Sequence, residues 1–502
     1  MDATPPHLAR LALTGQRGPE GRLDRAFSRI AESDLRLGNG VRLLKDAREN
    51  YPAWLKAIRG ATEVIHFENF IIADDETGRT FAEALAERAR AGVTVRVLYD
   101  WLGSSARALP PFWTKLERAG VEVRVFNPPR LTAPFWVRRD HRKLITVDGR
   151  RGFVSGLCVS DNWPGHDEVE PWRDTGLALE GPIVADLDEA FAEVWAQTGA
   201  PLPAHEIPDP DRIAPAGTVA ARVIKGRPGA YRTYRLDQFV AATARRNLWL
   251  TDAYLVANTS YVQALAEAAR DGVDVRLLVP GSSDVPMLQP IVRAGYRPLI
   301  EAGIRVFEWN GEMLHAKTAV ADGRWARVGS SNLNPTSWAT NWELDVVVED
   351  EGFAAEMEAM YLADLANATE IVPGWRPRPA ARKPAPKTGV PPRRRAVGRL
   401  AAGAIALGNT VGTAIAGSRS LAGTEVRSVA TIGVLLLALA VLVTVFPVLV
   451  ISPLVITLAW FGIALLARAY RLASVMRRSR KARAQEARPE APGRGRHPAP
   501  AE

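Results

Sequence analysis

Two segments of the chain carry the same frame of reactive side chains. "DHRKLITVDG" (140–149) places His141, Lys143 and Asp148 in the spacing His-x-Lys-x4-Asp, and "LHAKTAVADG" (314–323) repeats it with His315, Lys317 and Asp322. The chain has only seven histidines, so two in one eight-residue frame is not a compositional accident. An imidazole is a nucleophile or a proton carrier near neutral pH, and an ammonium group two residues away is a fixed cation. Together they suit an anionic centre. Two ammonium groups hold the non-bridging oxygens of a phosphodiester, one imidazole attacks phosphorus, and the other protonates the leaving alcohol. Each imidazole then needs an acid on its second ring nitrogen, and Asp174 in "WRDTG" and Glu343 in "NWELD" stand at comparable distances downstream. Lysine is a poor metal ligand at neutral pH and no Cys/His cluster has zinc spacing, so the reading includes no metal and no cofactor.

His and Lys two apart leave the same face of an extended strand. The spacing therefore predicts a strand at each motif, ending in an Asp-Gly turn that Asp148 and Asp322 brace without joining the chemistry. Downstream, "GSSN" (329–332) offers Ser330 and Asn332 as phosphate donors. The matching place in the first copy is "SGLC", which puts Cys158 opposite Asn332.

The elements that position these motifs also repeat. "ATEVIHFENFIIADDETGRTFAEALAERARAGVTVRVLYD" (61–100) and "RRNLWLTDAYLVANTSYVQALAEAARDGVDVRLLVP" (245–280) each read as strand, loop, amphipathic helix and strand. A second pair, "LERAGVEVRVFN" and "LIEAGIRVFEWN", follows before each motif. Alternating βα units imply an α/β fold with helices on both faces of a sheet. The sequence predicts two similar lobes, 41–205 and 206–372, related by a pseudo-twofold after an N-terminal extension (1–40).

Beyond residue 372 the composition changes. From Pro373 to Arg399 there are nine Lys or Arg and no acid, matching the net charge of +9 of the 502-residue chain. This reads as a basic Pro/Arg linker (373–398) leading to a membrane-associated region (399–480). Ser428 to Ala467 is free of charge over 40 residues, about twice what one span requires. Pro447 and Pro453 interrupt it, which predicts an α-helical hairpin at about 429–446 and 453–470. The flanking arginines place both ends, and the catalytic lobes, on the cytoplasmic side of the inner membrane. The tail 481–502 reads as disordered. The expected partners are phospholipid substrates and an acidic membrane surface. Nucleic acid is not expected, because the basic stretches lie beside the apolar segment and carry few interleaved aromatics. The single cysteine excludes an intrachain disulfide, and the oligomeric state is not legible.

The duplicated motif with its Gly/Ser/Asn and acidic followers resembles the phospholipase D superfamily over about 41–372. Within it, "NPPRLTAPFWVRRDHRK", "WRDTGLALEGP" and "SSNLNPTSWATNWELD" are similar to bacterial cardiolipin synthases. The resemblance implies a phospholipase D-type sandwich fold in each lobe. It implies transfer of a phosphatidyl group from phosphatidylglycerol, through a phosphohistidine, to a second lipid alcohol, with release of glycerol. Phospholipase D-type hydrolysis and, further off, a membrane-tethered nuclease are the alternatives. By the resemblance His141 is the nucleophile and His315 the acid/base, with the reverse order open. Lys143, Lys317 and Asn332 bind phosphate, and Asp174 and Glu343 orient the imidazoles. Cys158, where the family has Asn, is the visible departure.

Overall fold

The computed structural model describes residues 26–129, 138–166, 169–256, 258–285, 289–372 and Trp460. The chain divides into two compact units, 1–128 with 137–416 and 129–136 with 417–502. Of the second unit, only Pro129 and Trp460 are described. The expected basic linker, hairpin and tail lie outside the described residues. Among the described residues no helix is long and apolar enough to cross a membrane.

Fifteen strands form one mixed sheet in the first unit. The first lobe supplies β1 (Arg36–Lys45), β2 (Val64–Asn69), β3 (Thr94–Asp100), β4 (Glu122–Phe126), β5 (Lys143–Val147), β6 (Arg151–Ser155) and β7 (Thr175–Glu180). The second supplies β8 (Val219–Gly226), β9 (Asn247–Thr251), β10 (Asp274–Pro280), β11 (Arg305–Trp309), β12 (Thr318–Ala321), β13 (Trp325–Gly329), β14 (Glu343–Glu349) and β15 (Ala368–Ile371). From the centre outward one half runs β1-β7-β6-β5-β2-β3-β4 and the other β8-β14-β13-β12-β9-β10-β11, with β15 on its edge. The two orders are the same, so the repeat in the sequence is a repeat in topology. The halves join where β1 pairs antiparallel with β8 through Arg36 opposite Ala221 and Asn39 opposite Val219. β1 thus begins inside the stretch the sequence reads as an N-terminal extension, and Phe27 there meets Phe239 edge-on at 4.8 Å.

β2, β3 and β4 are parallel, as are β9, β10 and β11. Parallel neighbours require crossovers, and the amphipathic helices α1 (Glu76–Arg90) and α2 (Thr259–Arg270) supply the first in each lobe. Asp75 caps α1 through the Gly78 N–H and Asn258 caps α2 through the Tyr261 N–H. Phe81 and Leu85 of α1, and Leu265 of α2, face the outer cores. A third core spans the lobes. Into it pack α3 (Ile183–Trp195) and α4 (Glu351–Leu365), together with Leu144, Val154, Val320 and Val328 from the motif hairpins. α3 is buried over most of its surface, and its two buried acids are paired, Asp186 with Arg36 and Asp188 with His66. This shared core locks the two motif strands to a common scaffold.

Candidate active site

Each motif strand ends in the same turn. Asp148 and Gly149 have φ of 54° and 61°, and Asp322 and Gly323 have 55° and 65°. Paired positive φ values mark the tight hairpin turn that Asp-Gly favours. The Asp148 carboxylate accepts the N–H groups of Thr62, Glu63 and Val64 at the start of β2. Asp322 accepts those of Arg245, Arg246 and Asn247 at the start of β9. These two aspartates therefore pin each motif hairpin to its neighbouring strand, at the end of the strand away from the histidines.

At the other end the two lobes interlock. His141 N–H donates to Trp342 O (2.9 Å), in the segment leading into β14 of the second lobe. His315 N–H donates to Arg173 O (2.7 Å), in the segment leading into β7 of the first. The side chains cross in the same way. His141 Nδ1 lies 2.9 Å from Glu343 Oε2 and 3.1 Å from Oε1. His315 Nδ1 lies 2.7 Å from Asp174 Oδ2. Each lobe thus contributes the histidine of one pair and the carboxylate of the other. All four groups are buried.

The carboxylates are themselves held. Ser330 Oγ donates to Glu343 Oε2 (2.6 Å) and Asn341 Nδ2 to Oε1 (3.1 Å). Trp163 Nε1 donates to Asp174 Oδ2 (2.8 Å). Ser330 also accepts the Leu344 N–H, and its own N–H goes to Leu344 O. Its contacts are therefore positioning contacts, where the sequence reads a phosphate donor. Asn332 is different. It is buried, and its Oδ1 has no hydrogen-bond partner.

Lys143 Nζ donates to His141 O (2.5 Å), and Lys317 Nζ donates to His315 O. Lys317 Nζ also sits 2.9 Å from Nδ1 and 3.1 Å from Nε2 of His315, against its ring. Phe70 meets the His141 ring at 4.9 Å and the Lys143 ammonium at 5.3 Å. Tyr254 does the same for His315 and Lys317, each at 5.8 Å. Trp163 and Trp172 complete the wall around His315.

Burial lowers the proton affinity of both imidazoles. For His141 the Glu343 charge opposes this, while Lys143 and Lys317 reinforce it. His315 is pushed down to about 3, by burial first and then by Lys317, with Lys143 adding to the effect. The Lys143 and Lys317 ammonium groups thus both work against protonation of each histidine. Burial also lowers Lys317 to about 8. Burial works to raise Asp174 and Glu343, but their histidines and the nearby lysines overcome it and hold both carboxylates below their ordinary range. A neutral imidazole donating Nδ1–H to a carboxylate keeps a lone pair on Nε2.

Several residues of this site carry no signal in the motif. Arg142, the variable residue between His141 and Lys143, is fully buried. It donates to Ala190 O (2.6 Å), Gly226 O (3.2 Å) and Glu343 O (3.0 Å). Arg173 reaches Asp364 of α4 (2.8 Å) and Asp46 (3.1 Å). These two arginines tie the interlocked strands to both lobes. Phe70 and Tyr254 were visible only as aromatics in matching loops of the long repeat.

Comparison with known proteins follows the same division. The family described as "Cardiolipin synthase, PLD-like domain" matches residues 54–195 and 240–365. The chain belongs to this family. Cardiolipin synthase A of Pseudomonas aeruginosa (strain LESB58) is 37% identical over 355 residues, covering 70% of this chain and 71% of the relative. Cardiolipin synthase A of Pseudomonas fluorescens (strain SBW25) is 35% identical over 358 residues, 69% and 73% of the two chains. Among solved structures, phosphatidylserine synthase of Haemophilus influenzae matches with a TM-score of 0.57 at 14% identity, covering 70% of this chain and 92% of that one. The cardiolipin synthase family thus accounts for both lobes, and the distant structural match shows that the fold outlasts the sequence.

Proposed function

We propose that the protein is a cardiolipin synthase-type phosphatidyltransferase. The observation that carries this reading is the crossed pairing of two imidazoles with two carboxylates, beside two buried ammonium groups. His141 Nε2 attacks the phosphorus of phosphatidylglycerol, forming a P–N bond. The P–O bond to glycerol breaks, and His315 gives the departing alkoxide a proton. A hydroxyl of a second lipid then loses its proton to His315 and attacks phosphorus, and the P–N bond breaks. Lys143, Lys317 and Asn332 hold the non-bridging oxygens, and Glu343 and Asp174 orient the two rings. An anionic phosphodiester between the ammonium groups offsets their repulsion of an imidazolium, so donor binding raises the proton affinity of His315 where the acid is needed.

The remaining organisation belongs to the same proposal. Residues 41–205 and 206–372 are the catalytic lobes, 373–398 is a basic tether on acidic headgroups, and 429–470 is a hairpin anchoring the enzyme in the inner membrane with its lobes on the cytoplasmic side. Purified protein and labelled phosphatidylglycerol should yield cardiolipin and glycerol on thin-layer analysis. Phosphatidic acid as the main product would make the protein a hydrolase instead. Acid quench should trap label on His141, and label on His315 would reverse the two roles. Deleting 424–502 should release the protein from membranes, and a truncated form that still sediments with them would remove the hairpin as the main anchor.

A further inference from the structure

We propose that the rim segment 105–111, "SARALPP", is the surface on which the catalytic lobes rest on an anionic phospholipid bilayer, Arg107 meeting headgroup phosphate and Leu109 entering the acyl boundary. The proposal builds on a lipid substrate.

Leu109 is 53% exposed, and Ala106, Arg107, Pro110 and Pro111 around it are exposed as well. The other large apolar side chains exposed among the described residues, Leu37, Tyr231, Leu362 and Val372, are far from Leu109 in the chain. Leu109 is also an anomaly of local structure. It occupies the N-cap of the helix Pro110–Arg118 and makes no side-chain capping bond. That position favours Ser, Thr, Asp or Asn, whose oxygen satisfies a free N–H. Here the cap is given to a leucine that stays more than half exposed. The segment is nevertheless firmly presented. Ala108 N–H donates to Ser104 O (2.8 Å), Asp74 N–H donates to Arg107 O (2.9 Å), and Trp113 Nε1 donates to Ala108 O (3.3 Å).

The segment also borders the site. Ser104 Oγ donates to Phe70 O (3.2 Å) and accepts the Ile72 N–H (3.0 Å), and Phe70 is the ring that meets His141. Arg107 is near enough to influence both walls of the site: burial pushes Cys158 and Tyr254 up, and the Arg107 charge works against it in each. Among the described residues no carboxylate pairs with Arg107. Asp74, hydrogen-bonded to its backbone, is taken by Arg79 at 2.7 Å. A rigid Leu-Pro-Pro tip beside an available guanidinium is the chemistry of an interfacial contact, apolar tip below and cation at the phosphate level.

The test uses the full chain and two forms of one substrate: long-chain phosphatidylglycerol in vesicles and a short-chain, monomeric phosphatidylglycerol. Leu109→Ser supplies a better cap, so thermal stability should hold or rise. Turnover on vesicles should fall about tenfold, the order expected for losing one buried leucine contact, while turnover of the monomer stays unchanged. Arg107→Gln should lose less, with its deficit vanishing at high salt. Equal losses on both substrates, or no loss on vesicles, would overturn the proposal. A wild-type enzyme inactive on both forms would instead refute the functional reading. Docking would then be read directly by a fluorophore on Leu109→Cys, since Cys158 is buried. Quenching by brominated lipid supports the contact, and its absence sinks it.

Discussion

The two motifs share a backbone and differ in how each histidine is served. His141 is held by Glu343, which takes hydrogen bonds from Ser330 and Asn341. His315 is held by the shorter Asp174, which takes hydrogen bonds from the Trp163 indole and the Thr175 backbone N–H. The difference traces to one position of the repeat. Where the second copy has Ser330, the first has Gly156, and a Cβ there would meet Asp174 Oδ1 at 2.1 Å. The glycine leaves room for the shorter acid, and an indole N–H replaces the missing hydroxyl. His315 also has Lys317 against its ring and, among the described residues, more aromatic rings around it than His141. Pseudo-symmetry therefore builds the pocket, and local asymmetry supplies two chemically distinct imidazoles, as a nucleophile and an acid/base require.

The comparison is broken most severely at the carboxylates. Asp174→Asn and Glu343→Gln should each lower kcat by about 10³-fold, by removing the charge that fixes the tautomer and stabilises the imidazolium. If Asp174 serves the acid/base, Asp174→Asn should spare phosphoenzyme formation from a substrate with a good leaving group, whereas Glu343→Gln should not. Equal loss in that half-reaction would erase the distinction. A smaller effect is expected from pH. Lys317 is lowered to about 8, chiefly by burial, so it is charged below that pH and loses its charge as pH rises through it. kcat/KM should accordingly decline above about pH 8, and Lys317→Arg should move any decline in phosphate-analogue affinity to higher pH. A flat profile to pH 10 would show that Lys317 does not act as the cation. The smallest effect should come from Cys158. It is buried opposite Asn332 in the repeat, and Cys158→Ala should change turnover by less than about threefold while lowering stability by roughly 1 kcal/mol. A large loss of turnover would give the thiol a part in phosphate binding.

Much of this is legible in the sequence alone. The duplicated His-x-Lys frame and the matched βα segments anticipate two similar lobes, because hydrophobic period and turn chemistry are local properties, and the structure adds that their strand orders are the same. Asp174 and Glu343 are legible as acids at comparable downstream offsets. Their crossing is not. Offsets within each copy point to partners within the copy, and the exchange depends on how Trp342 and Arg173 pair with the opposite motif. Ser330 shows the same limit. Its place in the motif suggests a phosphate donor, but only the position of Glu343 shows where its hydroxyl is spent. Phe70, Tyr254 and Trp163 are ordinary core aromatics in sequence, and their roles arise from what folds against them.

The exchange of acids between lobes has a consequence for how such a chain can be divided. A lobe on its own would present a histidine with no carboxylate behind it, so neither half is a smaller version of the whole. Covalent fusion makes the meeting of halves independent of dilution, and damage to either half silences a histidine in the other.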